Sequence, residues 1–360
     1  MRHIDHDRLR AFVAAIFARA GSEPAEAEAV ADHLVDANLT GHDSHGVIRV
    51  ARYIGWLNEG KLRPNQHARI VRDGGAVVAI DGGGGYGQVI GREATAIGIE
   101  RAGRHGVAAV AIRNTNHLGR IGAWAEQAAE AGRVSIYFVN TSGFGILVAP
   151  FGGRDRRMSA NPIAAGVPAM GGGEPVILDI ATAAIAQGKV AVARNKGVEV
   201  PEGSLLDPEG RPTRDPQALY DGGALLAFGG HKGSGLAYFC EVLAGTLTSG
   251  GSSHPDNPDA DRLCNNMLSI LFDPAAFGDL DAFAADLTRL NAWIKGSPPV
   301  SPGGEVLLPG EVERRTRAER VANGIPLDDA TLSQFVAAAA SVGVPDTLTT
   351  APQATTTAPD

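Results

Sequence analysis

From about residue 68 onward, short β-branched runs separated by glycines alternate with helical stretches, and that alternation restricts the chain to a mixed α/β body. Strand-like runs fall at 76–80, 107–112, 134–139, 163–167 and 176–180, with helical stretches near 88–104, 121–131 and 182–195. Beyond Gly229 the pattern predicts a helix around 233–248, a strand at 267–272, and helices near 279–294, 310–322 and 329–341. The first 60 residues carry no such strands. Leu9, Phe12, Val13, Ile16 and Phe17 recur at helical spacing, so this stretch reads as an amphipathic helix retained on the protein rather than a signal peptide. Ser22 stands as N-cap before Glu23 and Pro24 for a second helix over 23–39. Ser44 can cap a third, with Val47, Ile48, Val50, Ala51, Ile54 and Leu57 directed inward until Asn58 to Gly60 stop it.

Composition removes several functional classes. Lys and Arg total 32 against 40 Asp and Glu, a formal charge of −8, which leaves no basic surplus for nucleic acid or an anionic membrane. Two cysteines, Cys240 and Cys264, give neither a disulfide framework nor zinc-cluster spacing, so a reducing cytoplasm is expected. No run approaches the roughly 18 apolar residues of a spanning helix, and no membrane association is expected. A small anionic ligand remains compatible with the charge through a local site.

Several constellations could carry chemistry. In Gly41-His42-Asp43-Ser44-His45-Gly46, a Ser44 cap would make His45 the first helical residue and put Arg49 on the same face. Free amides and Arg49 would then hold a carboxylate while His45 donates a proton to a neighbouring carbonyl oxygen. A capped surface helix with incidental histidines fits the same spacing, and a metal site from His42, Asp43 and His45 lacks a fourth ligand. Asn116 and His117 follow a strand at its carboxyl end, where α/β proteins place ligands, although an Asn-rich turn with a hydrogen-bonded histidine is the alternative. Gly82, Gly84 and Gly87 satisfy G-x-G-x-x-G. The next strand, however, ends at Arg113 rather than an acidic ribose ligand, so a glycine turn with close backbone approach is preferred to a dinucleotide fingerprint. The run Gly229-Gly230-His231-Lys232-Gly233 opens a helix either as an anion cradle or as a flexible entry loop. Asp179-Ile180-Ala181-Thr182 closes a strand and can cap the helix that follows.

Asp43-Ser44-His45-Gly46 with Arg49, Asn116-His117-Leu118-Gly119, Ala160-Asn161-Pro162-Ile163, Leu178-Asp179-Ile180-Ala181-Thr182, Gly188-Lys189-Val190, Gly229-Gly230-His231-Lys232-Gly233 and Pro309-Gly310-Glu311 occur in that order. Together they resemble the malate/L-lactate dehydrogenase family of the second type, which includes ureidoglycolate, sulfolactate and diketogulonate oxidoreductases and cyclic imino-acid reductases. The resemblance covers residues 5–328.

The resemblance implies a mixed α/β, non-Rossmann nicotinamide-binding fold. A helical domain is expected from 1–67 and 279–342, and a cofactor-binding and dimerisation domain from 68–278; by composition, 343–360 is expected to be a disordered tail. It further implies hydride transfer between NAD or NADP and C2 of a small 2-hydroxy or 2-oxo acid, by a homodimer; no metal is expected, because the sequence has no H-E-x-x-H or Cys/His ligand spacing. His45 and His117 fall on the family's active-site histidines, with Ser44, Arg49 and Asn116 on the substrate side. Cofactor contacts carry over to Asn140 and Thr141 in a turn, to Asp179, Ile180, Ala181 and Thr182, to Lys232 and Gly233, and to Gly310, Glu311 and Val312. Ala183 stands where the family often has serine, and His231 where an aromatic residue often precedes the lysine, which bears on cofactor preference. Arg52 and Arg120 are candidates for a second cation that would favour a dicarboxylate. Two alternatives remain: reduction of a cyclic imino acid, and a catalytically silent ligand-binding homologue, against which the intact His45, Arg49, His117 and Lys232 speak.

Overall fold

Caps and buried periodicity account for the elements. In chain order they are β1 (Arg2–Ile4), α1 (His6–Arg19), α2 (Pro24–Leu39), α3 (Val50–Asn58), β2 (Arg69–Asp73), β3 (Val77–Asp81), α4 (Gly87–His105) and β4 (Val107–Thr115). There follow α5 (Gly122–Glu130), β5 (Val134–Gly143), β6 (Ile163–Val167), β7 (Val176–Ile180), α6 (Gln187–Lys196), β8 (Leu205–Leu206), β9 (Pro212–Thr213) and β10 (Ala224–Leu225). The last are α7 (His231–Cys240), β11 (Leu263–Phe272), α8 (Leu280–Lys295), α9 (Glu311–Asn323), β12 (Ile325–Leu327) and α10 (Asp329–Ser341). This computed structural model describes residues 1–257 and 261–348. Its chain divides into two units, Met1–Asn65 with the chain from Glu313, and Gln66–Val312.

The first unit joins the two ends of the chain. Strands β1 and β12 pair antiparallel, with Ile4 opposite Ile325. Asp5 caps α1 by accepting from the Asp7 and Arg8 amides, and the inward stripe Leu9, Phe12, Val13, Ile16 and Phe17 is buried. Phe12 meets Phe335 of α10 edge-on at 5.2 Å, and Phe17 meets Tyr53 of α3 at 6.2 Å. Within the expected tail, Val344 and Leu348 are buried and the Thr347 carbonyl accepts from Arg8 at 2.9 Å. The rest of the expected tail, 349–360, lies outside the described residues.

The second unit is built on a seven-stranded sheet in the order β2-β3-β4-β11-β5-β6-β7. Only β3 and β4 among these neighbours run parallel; the other five pairings are antiparallel. Alternate residues of β4 and β5 (Ala108, Val110 and Ile112; Tyr137 and Val139) are buried, while β11 at the centre is buried along nearly its whole length, as a strand covered on both faces must be. Ile90 and Ala94 of α4 and Trp124 and Ala125 of α5 pack on this sheet. A satellite core that includes Val148, Val190, Leu205, Leu225 and Ala237 gathers α6, α7 and the small sheet β10-β8-β9.

Helix α8, which the sequence reading grouped with the chain ends, clusters with this second unit. Phe283 of α8 lines an apolar cavity of about 340 Å³ together with Val134 of β5 and Phe272 of β11.

Candidate active site

Ser44, His45 and Arg49 lie in the first unit and the other expected site residues in the second. The segment 43–49 does not form the expected capped helix. It makes two single 3-10 turns, Asp43–His45 and Val47–Arg49, before α3 begins at Val50. The break is Gly46, extended at φ −87° and ψ −153°, where a Cβ would sit 2.2 Å from Oδ1 of the buried Asn38. That same Oδ1 accepts from the Val47 amide at 2.8 Å, while Asn38 Nδ2 donates to Asp43 at 2.6 Å. A non-local side chain thus replaces the local cap.

This geometry removes the expected amide cradle, because the His45, Gly46, Val47 and Arg49 amides all donate within the protein. It keeps the side chains together by another route. Ser44 Oγ and His45 Nδ1 are hydrogen-bonded at 3.1 Å, and Arg49 Nε donates to the Ser44 carbonyl at 2.6 Å. Arg49 is half-buried and forms no ion pair among the described residues. Burial holds its guanidinium below the usual arginine range, opposed by Tyr53 and reinforced to a smaller extent by Arg52. A guanidinium desolvated in this way without a protein counter-charge is a ready anchor for an external carboxylate.

In the second unit, Asn116 and His117 follow β4 as expected. Asn116 is fully buried; its amide donates to Gly85 O at 2.9 Å and its Oδ1 accepts from the His117 amide at 2.8 Å. The glycine turn before α4 supports this loop. A Cβ on Gly87 would come within 2.4 Å of His117 O, and the Gly82, Gly83 and Gly84 amides are taken by Arg113 O, Asp81 Oδ1 and Asn114 O. With those donors occupied and most of the sheet antiparallel, the turn is a close backbone approach and no pyrophosphate cradle.

The expected cofactor residues are placed as follows. Asn140 and Thr141 lie within β5 rather than in a turn, and Asn140 is tied to Glu241 at 3.0 Å and to Asn266 at 3.0 Å. Asp179 Oδ2 accepts from the Gly122 amide at the start of α5 at 2.8 Å; Ile180 ends β7 and Ala181 follows it. Thr182 caps no helix. Its amide and Oγ1 both donate to Ala160 O, and α6 starts only at Gln187. Gly310 has φ +89°, the Glu311 carboxylate is taken by Lys295 Nζ at 2.7 Å, and Val312 is exposed.

Lys232 differs from these in being uncommitted. It is exposed at the second position of α7, after Gly229 and Gly230 at φ +58° and +62°, and has no ion pair among the described residues. Gly233 leaves no room for a Cβ, which would fall 2.1 Å from Phe228 O. A free ammonium on a glycine-lined helix start fits an anionic cofactor group. The second-cation expectation fails at Arg120, which is buried and forks onto the Glu126 carboxylate; Arg52 lies 5.8 Å over the Trp56 ring.

Three residues that hold these segments were not singled out from the sequence: Asn38, Glu241 and Asn265. The adjacent Asn265 and Asn266 immediately before an apolar strand run were the readable signal, because a buried strand tolerates polar side chains only where they are bonded.

The malate/L-lactate dehydrogenase family model matches residues 4–336. Hydroxycarboxylate dehydrogenase B of Escherichia coli (strain K12) is 45% identical over 348 residues, 95% of each chain. The sulfolactate dehydrogenase structure from Methanocaldococcus jannaschii has a TM-score of 0.85 at 33% identity, covering 96% of this chain and 98% of that one. A delta1-piperideine-2-carboxylate reductase structure from Pseudomonas syringae has a TM-score of 0.82 at 33% identity, over 94% of this chain and 100% of the other. On motif order, fold and the extent of these matches, the chain belongs to the malate/L-lactate dehydrogenase family.

Proposed function

We propose that the protein is a dehydrogenase that interconverts a small 2-hydroxy acid and the 2-oxo acid with NAD or NADP. The observation that carries this reading is Arg49: a half-buried guanidinium, pinned through Nε to Ser44 O at 2.6 Å beside the Ser44–His45 pair, with no carboxylate partner among the described residues. Its terminal nitrogens anchor the acid group, and an imidazole exchanges a proton at the C2 oxygen, with His45 and His117 as the two candidates. The bound nicotinamide would carry the hydride to or from C2. Lys232 and Gly233 would hold its anionic portion, with Asp179 to Thr182, Asn140, Thr141 and the Gly310–Val312 stretch as the remaining contacts. The similarity to hydroxycarboxylate and sulfolactate dehydrogenases supports the substrate class. A homodimer is proposed on the exposed Tyr238 and Phe239 of α7, and a cytoplasmic setting on a composition with only two cysteines in 360 residues.

Similarity to the piperideine-carboxylate reductase favours a second reading, reduction of a cyclic imino acid, which needs the same carboxylate anchor. Absorbance of the reduced nicotinamide, followed with malate, lactate, sulfolactate and piperideine- or pyrroline-2-carboxylate, separates the two. Turnover of a hydroxy acid is expected, with His45→Ala and His117→Ala each lowering kcat by roughly 10²–10⁴-fold. Turnover confined to imino acids would select the second reading, and no turnover with any acid would overturn both.

A further inference from the structure

Asn265 is buried in the central strand β11, where the pairing register with β4 slips between Asn265 and Met267. Its side chain reaches both flanking strands. Oδ1 accepts from the amide of Leu118, the residue after His117, at 2.9 Å. Nδ2 donates to Thr141 Oγ1, the residue opposite it on β5, at 2.9 Å and to Asn140 O at 3.3 Å. Its carbonyl accepts from Thr115 Oγ1 at 2.9 Å, where β4 gives way to the His117 loop. The network is held from behind, since Asn266 Nδ2 donates to Asn140 Oδ1 at 3.0 Å and Asn140 donates to the buried Glu241 carboxylate at 3.0 Å.

We infer that Asn265 is a positioning residue that fixes the His117 loop against Thr141, and so sets where the imidazole stands; this rests on the proposed proton-transfer role of His117. Only an amide of this length supplies an acceptor toward Leu118 and a donor toward Thr141 at once. An aspartate keeps the acceptor but turns a charge toward Asn140 O, and an alanine leaves the Leu118 amide and Thr141 hydroxyl unbonded in the core. Misplacement of a reacting group by about 1 Å can cost on the order of 100-fold in rate.

The test compares Asn265→Ala, Asn265→Asp and His117→Ala. In the first two, kcat is expected to fall by about 10- to 100-fold with the acid KM changed by less than about threefold. In the unliganded protein, the NMR titration midpoint of the His117 imidazole should move by about half a pH unit or more. Asn265→Asp retains the bond to Leu118 and keeps the measurement available if the alanine variant does not fold. In the His117→Ala background, adding Asn265→Asp should lower kcat by less than about twofold, because the two changes act through one group. A fall in thermal stability with kcat and the His117 midpoint unchanged would overturn the inference and leave a structural asparagine. Full activity of His117→Ala would instead remove the proton-transfer reading on which it rests.

Discussion

Arg320 grips Asp43 with both terminal guanidinium nitrogens, at 2.6 and 3.0 Å, and the first of these also donates to Asn38 O at 2.5 Å. A residue of α9 therefore braces the turn that carries Ser44 and His45, 277 positions earlier in the chain.

Arg320→Ala should disturb the substrate side more than the fold. Asp43 is half-exposed, so solvent screens the pair and its loss is expected to cost only about 1 kcal/mol in urea denaturation. The apparent KM for the acid should rise severalfold, because Asp43 and Asn38 together set the 43–47 turn. An unaltered KM with the same loss of stability would make the brace purely structural.

Arg49→Met should raise the acid KM by about 10- to 100-fold, the equivalent of a charge-assisted contact of about 1.5–3 kcal/mol, with kcat changed far less. Arg49→Lys is the more informative variant. The burial that lowers the Arg49 pKa leaves an arginine charged, whereas a lysine there loses its proton more readily, so the variant should bind acids progressively worse as pH rises. Parallel KM profiles for wild type and Arg49→Lys would place the anchor elsewhere.

Lys232→Ala and Gly84→Ala are expected to separate cofactor binding from folding. Removing the exposed ammonium should weaken NAD(P) binding with little effect on stability. Gly84 holds φ +76° and its amide bonds Asn114 O, so alanine there should cost about 1–2 kcal/mol of stability and leave cofactor affinity in place. Nicotinamide fluorescence titrations of the two folded variants decide the matter, and the opposite pattern would restore the glycine turn as the binding site.

Acid should selectively weaken the start of α10. Asp328 accepts from the Thr331 amide at 2.8 Å and hydroxyl at 2.7 Å. Burial pushes its pKa up, but the bonds from Thr331 and nearby amides outweigh that, and the net shift is downward. A carboxyl with a folded pKa below its unfolded value of about 3.9 stabilises the fold above that pH and loses the contribution as pH falls through the folded pKa. Asp328→Ala is expected to cost about 1 kcal/mol near neutrality. Urea midpoints of variant and wild type should converge only below about pH 4; a gap independent of pH would show that ionisation of the cap contributes nothing.

Local signals in the sequence located much of this molecule, and distant contacts account for what they missed. The strand ending before Asn116 and the helix opening near Lys232 follow from periodicity and glycine placement, which act within a few residues. The third helix starts later than a Ser44 cap predicts, because the extended backbone of Gly46 is set by Asn38 eight positions earlier, which no local signal shows. The helix expected from 182 starts at Gln187 because Thr182 bonds Ala160 instead of capping it. Arg120 looked like a second substrate cation because nothing local says that the Glu126 carboxylate claims it. Asn265 was excluded from a strand expected to begin at Met267, since hydropathy cannot show that both ends of a buried amide are bonded.

The central position of β11 has a consequence for biosynthesis. It inserts between β4 and β5, which are complete by residue 143, yet its own residues are 263–272. A chain emerging from the ribosome therefore presents two unpaired strand edges through more than a hundred further residues of translation, a state prone to off-pathway pairing. The sheet closes only when the late strand arrives, so maturation should be slow, dominated by long loop closure, and responsive to chaperones that shield nascent edges.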